Sequence, residues 1–356
     1  MIIIMMNLKL AMKKIVNKLL VLLICIFIFS GCAKIKTYTA YTIYPVGYIL
    51  NRIGGNRIKT ISVQTNDLVQ VAKPVTADEE NPGFQDIIND SIYFFHIGDL
   101  EPYLEIYEDE INQSEANVVD LSVLNAIYKF QRYTIVIANG RETYIESPYY
   151  DGDIFDSIDV YDTDLFLWLD PIGMLSMAKT VYSTLANNYV EQSAFFKENY
   201  EALEADLIEV DARYQALSTK LKAESKTIKF VSMTPSFGSW QKSYGFQVYP
   251  VCLSKYGALP SEAQLEAIKQ RIIADDVRYI VYEPNMTAEM NELFNELADE
   301  LNLTRVNLSN LSSLTSTQIN DGKDYLSIMY ENLSVLENIA VQVTTTTELV
   351  NVPEED

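Results

Sequence analysis

Two stretches of this chain gather the side chains best able to hold a cation. KPVTADEENPGF, residues 73–84, carries Asp78, Glu79 and Glu80 in a row, and YYDGDIFDSIDVYDTD, residues 149–164, carries six aspartates. Closely spaced carboxylates suit a hard, oxygen-seeking ion such as calcium. The second stretch includes a DxDxxD pattern but lacks the glycine and glutamate placement of an EF-hand loop, so solvated acidic loops are the simpler reading of both. Zinc-type ions lean on imidazole and thiolate. The chain has one histidine, His96, and three cysteines, Cys25, Cys32 and Cys252, with no CxxC pair. His96 lies inside an apolar run and reads as a packed structural residue. Glu283 closes the run VRYIVYEP, residues 277–284, where it is placed as a polar handle facing a cleft, or as a cap or domain contact. There is no glycine-rich phosphate loop, no GxSxG and no histidine placed as a base. The expectation is a protein without catalytic activity or cofactor.

The chain that must position these groups has 356 residues, 48% of them apolar, enough for two domains with real cores. Its formal charge is −22. Residues 1–31 hold four lysines and no acid, and the remainder sets 23 basic against 49 acidic residues, a charge of −26. A surface that acidic repels phosphate backbones, which sets nucleic acid aside as a partner.

Residues 12–32, MKKIVNKLLVLLICIFIFSGC, have the layout of a secretion signal: lysines, then an apolar run, then small residues. The run is short against the ~20 residues that a membrane span needs. It ends in Phe29-Ser30-Gly31-Cys32, close to the bacterial lipobox, with Phe29 in place of the usual leucine. The expectation is removal of residues 1–31, lipidation of Cys32, and a body tethered at the extracytoplasmic face of the cell membrane. Translation starting at Met12 rather than Met1 fits the same signal. Cys25 then leaves with the signal, and Cys252 has no partner for an internal disulfide.

Beyond a linker at 32–37, residues 38–186 alternate strand and helix. TAYTIYPVGYILNRIGGNRIKTISVQT (39–65) reads as strand, helix, turn and strand, with Gly54-Gly55-Asn56 as the turn. SIYFFHIG (91–98), ANVVDLS (116–122) and YTIVIANG (133–140) read as further strands, which implies a largely parallel sheet. DLFLWLDP (164–171) reads as the end of a strand followed by a helix start, with Asp170 as cap and Pro171 in the first turn. Phe196, Tyr200, Leu203, Leu207, Val210, Tyr214, Leu217 and Leu221 make one apolar stripe at alternating spacings of four and three. That predicts one long helix within 187–224, ~39 Å over the stripe, lying along the body of the protein. Residues 225–345 resume the alternation: strands at 227–233, 277–284 and 304–311, helices at 262–272, 287–301 and 325–343. Residues 346–356 form a polar, acidic tail. The predicted fold is α/β: two α/β lobes with mostly parallel sheets, joined by one long rigid helix, with a ligand cleft between them at the carboxyl ends of the strands.

These pieces in this order resemble the substrate-binding lipoproteins of zinc and manganese ABC transporters. TIYPVGYILNRIGGNRI looks like that family's Tyr-Pro segment and Ile-Gly-Gly turn. GDLEPYL (98–104) is similar to its Gly-x-x-Glu-x-Trp-Leu segment with tyrosine for tryptophan. WLDP, the long helix, FGSWQKSYGF (237–246), YEP (282–284) and YLSIMYENL (325–333) complete the set. The resemblance covers nearly all of the chain after the signal. It implies an importer's permease and ATPase as partners, and a metal held by four side chains, two from each lobe. The positions that match those ligands are Val75, Phe166, Thr234 and Ser309. None offers imidazole or carboxylate, and hydroxyls are poor zinc or manganese ligands without charged partners. The expectation is therefore a degenerate metal site. One reading is a solute-binding lipoprotein whose ligand has changed, with Trp240 and nearby tyrosines suiting a small organic molecule. A second is a surface interaction protein, an adhesin or scaffold, on the same fold. A third is a divalent metal held through the acidic loops 78–80 or 151–164.

Overall fold

The computed structural model describes residues 36–64, 73–78, 82–138, 141–156, 158, 163–254, 257–284 and 286–342. The expected signal and lipidation site at Cys32, Glu79, Glu80, Asp159, Asp162 and the acidic tail lie outside these residues. Four strands open the first lobe: β1 (Tyr38–Tyr41), β2 (Lys59–Ser62), β3 (Ser91–His96) and β4 (Asn117–Asp120). They form one sheet in the order β2-β1-β3-β4, parallel throughout. Parallel strands covered on both faces read as unbroken apolar runs, and Tyr93, Phe94 and Phe95 of β3 are all buried. The helix Tyr44–Gly54 links β1 to β2 and ends where Gly55 takes φ of 52°, a conformation that glycine adopts without strain.

A hairpin of β5 (Arg132–Ala138) and β6 (Arg141–Ser147) follows, antiparallel and separate from that sheet. Residues 133–140 were expected as a strand of the parallel sheet; of these, 133–138 pair instead with Arg141–Glu146. The second lobe is built on β7 (Lys226–Ser232), β8 (Gln247–Pro250), β9 (Tyr279–Tyr282), β10 (Thr304–Asn307) and β11 (Ala340–Gln342). β10, β9, β7 and β8 run parallel, while β11 pairs with the first half of β7 antiparallel. The last helix was expected to run to residue 343. It stops at Asn338, and Ala340–Gln342 turn back to cover the edge of β7.

The helices Pro171–Asn188 and Ser193–Ala223 are separated by one 3-10 turn, Val190–Gln192. The second has 31 residues, ~46 Å. Its stripe is buried from Phe196 to Leu221, with Tyr200 half-buried. Its core cluster takes Leu50 and Ile53 from the first lobe and Phe230, Trp240 and Leu336 from the second. One continuous core thus spans both lobes along this helix. Among the described residues no helix is long and apolar enough to cross a membrane.

Before the helix at Pro171, the expected strand end is absent. Residues 163–166 are irregular, and Leu167–Leu169 form a 3-10 turn. The Asp164 N–H donates to the Tyr128 carbonyl at 2.8 Å, and the next groups are satisfied by side chains rather than by a ladder. Asp164 Oδ1 accepts the Phe166 N–H at 3.0 Å, the Trp168 carbonyl accepts the Tyr325 hydroxyl at 2.5 Å, and the Leu169 carbonyl accepts Trp240 Nε1–H at 2.8 Å. The expected cap holds: Asp170 Oδ1 accepts the Ile172 N–H at 2.9 Å.

Candidate functional site

The carboxyl ends of β7, β9 and β10 converge on Glu283. Its side chain is 0% exposed. Oε1 accepts the backbone N–H groups of Met233 at 2.7 Å and Thr234 at 2.9 Å. Oε2 accepts the Thr234 hydroxyl at 2.5 Å and Asn310 Nδ2–H at 2.9 Å. Burial raises the Glu283 carboxyl above the usual carboxylate range, against the pull of these four donors. Thr234 Oγ1 also pairs with Ser236 Oγ at 2.7 Å. Ser309 is pinned through its backbone: its N–H donates to Asn332 Oδ1 at 2.9 Å and its carbonyl accepts Asn332 Nδ2–H at 2.8 Å. Its hydroxyl accepts the Leu311 N–H at 3.2 Å. Thr234 and Glu283 thus share one buried network, with Ser309 one residue from its third member, Asn310. Both Glu283 oxygens, Thr234 Oγ1 and Ser309 Oγ already accept hydrogen bonds.

The first-lobe positions make other contacts. Val75 is half-buried; its N–H donates to the Val63 carbonyl and its own carbonyl accepts the Phe84 N–H. It packs with Phe84, Phe94 and Tyr103. Phe166 is buried, its ring centroid 5.4 Å from that of Trp168. It borders a cavity of about 330 Å³ that Val75, Thr234, Ser309 and Glu283 do not line. Trp168 ties the lobes together: its Nε1–H donates to the Asn310 carbonyl at 2.7 Å. Ser243 Oγ–H adds a bond to Asp170 Oδ2 at 2.8 Å.

The remaining candidates are accounted for by packing. His96 Nδ1 meets the Gly98 carbonyl at 2.8 Å, and its ring stacks on Phe94. Cys252 is buried, and burial pushes its thiol up to about 12. Asp78, Asp151, Asp153 and Asp156 are exposed. No group of three or more His, Cys, Asp or Glu side chains able to hold a metal occurs among the described residues.

Three polar residues escaped the sequence reading. Asn310 follows Ser309 in sequence, and Asn332 lies in the segment 325–333 and holds the Ser309 backbone. Glu101, inside GDLEPYL, is the third: it is 1% exposed, and neither oxygen has a hydrogen-bond partner among the described residues. Thr42 lies close enough to lower the Glu101 value but outside hydrogen-bond geometry, and its own hydroxyl is equally orphaned. Burial pushes the Glu101 carboxyl up to about 7. The folded chain therefore keeps a proton that the unfolded chain releases near the ordinary carboxylate value. Stability contributed by the neutral form is present below that value and is lost as pH rises to 7, by about 3 kcal/mol. In E101Q that part of the pH slope disappears, and the variant is more stable than wild type at pH 8. Thermal melts of both across pH 4–8 test this, and parallel curves would refute it.

Comparison with known proteins adds the following. A family model described as "ZnuA: Zinc-uptake complex component A periplasmic" matches residues 40–339. The zinc-binding lipoprotein AdcA of Streptococcus pneumoniae is 25% identical over 182 residues, 51% of this chain and 35% of that protein. The high-affinity zinc uptake system protein ZnuA of Bacillus subtilis is 25% identical over 175 residues, 49% of this chain and 53% of that one. The chain thus spans about a third to a half of the length of these curated relatives. Among solved structures, the periplasmic zinc-binding protein TroA of Treponema pallidum superposes with a TM-score of 0.64 at 15% identity, over 85% of this chain and 99% of that one. At that identity the likeness shows the fold.

Proposed function

The chain belongs to the zinc-uptake complex component A family, and from that premise we propose that it is the extracytoplasmic solute-binding component of an ABC importer, taking a ligand other than zinc or manganese held in four-ligand fashion. Proteins of this family bind substrates and are not enzymes. The partners would be a permease and an ATPase, and the tether a lipid on Cys32.

One observation carries the ligand reading. Val75, Phe166, Thr234 and Ser309 supply no imidazole and no carboxylate, and the one carboxylate in the second-lobe network, Glu283, already accepts four hydrogen bonds. A zinc ion entering there would shed its water and displace those donors, and would gain a single carboxylate with only hydroxyl and carbonyl oxygens around it, and no imidazole. The relatives' names favour zinc, and in a second reading carboxylates of segments 78–80 and 151–164 hold it.

Elemental analysis of the purified, untagged protein separates the two, followed by calorimetric titration with zinc and manganese. The expected result is no stoichiometric metal and no saturable heat. One zinc or manganese retained per chain would overturn the first reading in favour of the second.

A further inference from the structure

The cavity beside Phe166 has a volume of about 330 Å³, within the range of small-molecule sites. It lies between the segment 124–133, the start of the helix Pro171–Asn188 and the short helix Ser239–Tyr244. Its walls are mainly apolar, with Leu124, Phe166, Leu167 and Ile172 contributing. Its charged side chains are Lys129, Asp164, Asp170 and Lys242, with Ser239 beside them; Asp170 is already engaged by Ser243 and the Ile172 N–H.

Asp164 is 8% exposed and lines the cavity. Oδ1 is held by the Phe166 N–H. Oδ2 lies against Gly238, where an added β-carbon would approach it to 2.7 Å. Only a glycine leaves that oxygen its present position. No cation pairs with Asp164 among the described residues, and the carboxyl is pushed up to about 7, chiefly by burial. Of the two lysines that line the cavity, Lys129 and Lys242, the second is engaged otherwise. Its ammonium sits 4.1 Å from the Tyr128 ring centroid and 4.6 Å from that of Tyr133, with Tyr144 at 5.8 Å. Ring faces rather than the carboxylate stabilise that charge. Ser239 Oγ, on the same wall, is buried without a hydrogen-bond partner among the described residues.

We propose that this cavity binds a small organic cation, an amine with an apolar body, whose ammonium meets Asp164 Oδ2 while its hydrocarbon packs on Phe166, Leu167 and Ile172. The assignment deepens the preceding functional reading and rests on it. A buried carboxylate with one unfilled oxygen is an incomplete hydrogen-bond and charge partner, and a protonated amine supplies both terms. A molecule of net charge −22 raises the local concentration of cations rather than anions.

The test uses phenethylamine as the probe and 3-phenylpropionate as its anionic counterpart. Calorimetry on the purified protein, above the pH at which Asp164 ionises, should show saturable binding of the amine and none of the acid. D164N retains an acceptor for the Phe166 N–H and should weaken amine binding about tenfold or more. Should D164N not fold, I172W fills the mouth from an exposed position and should abolish binding with Asp164 intact. Absence of amine binding by the wild-type protein, wild-type affinity in both D164N and I172W, or preference for the acid each overturns the proposal. Zinc content is measured on the same samples. No zinc and no amine binding sinks this inference alone, whereas stoichiometric zinc with Asp164-dependent amine binding sinks the functional reading and leaves the site.

Discussion

Glu283→Ala lowers the unfolding free energy by about 3–5 kcal/mol, measured by urea denaturation as a fall in midpoint at unchanged slope. The substitution leaves the Met233 and Thr234 N–H groups, the Thr234 hydroxyl and the Asn310 amide without their acceptor, all inside a dry core. Water does not easily replace it, because Thr234 and Glu283 are both fully buried. E283Q should cost roughly half as much, since an amide oxygen still serves the two backbone donors while its NH2 faces two side-chain donors. A ligand-binding role makes the opposite prediction: E283A would alter metal content while leaving stability near wild type. An E283A protein of wild-type stability would therefore return Glu283 to the list of candidate ligands.

What the sequence disclosed and what it hid follow from the range of the interactions. The stripe from Phe196 to Leu221 is a local pattern, set by 3.6 residues per turn, and the long helix appears where that pattern places it. The run SIYFFH gave its strand for the same reason. The ends of elements were less legible. Residues 340–342 continue an apolar rhythm suited to a helix, and only the exposed edge of β7, more than 100 residues earlier, makes them a strand. The hairpin was a missed local signal: Asn139-Gly140 stands between β5 and β6, and such a dipeptide between strand-like runs marks a hairpin. In the candidate site, the residue types at Val75, Phe166, Thr234 and Ser309 could be read directly. The capture of Glu283 by Met233, Thr234 and Asn310 could not, because its partners are 27 to 50 residues distant. Asp164 was read as one of six loop aspartates; nothing in its immediate neighbours announces that it alone among those described turns inward.

Trp168 explains how the WLDP segment can persist beside a position that offers a metal nothing. It is fully buried, packs against Phe166, donates to the Asn310 carbonyl and receives the Tyr325 hydroxyl on its own carbonyl. Asn310 is the joint: its carbonyl takes the indole of one lobe while its amide reaches Glu283 in the other. The segment is thus required for lobe contact whether or not residue 166 binds anything. W168A should cost about 3–5 kcal/mol through lost packing and the cavity left behind. W168F keeps most of the packing, removes the donor to Asn310, and should cost about 1–2 kcal/mol. If Asn310 transmits strain between the two sites, the W168F/E283Q double variant departs from additivity by at least ~0.5 kcal/mol, because both changes act on one asparagine. Strict additivity would mean that the lobes are stitched at independent points. A W168F protein as stable as wild type would remove the indole bond from the account and leave the retained tryptophan to packing alone.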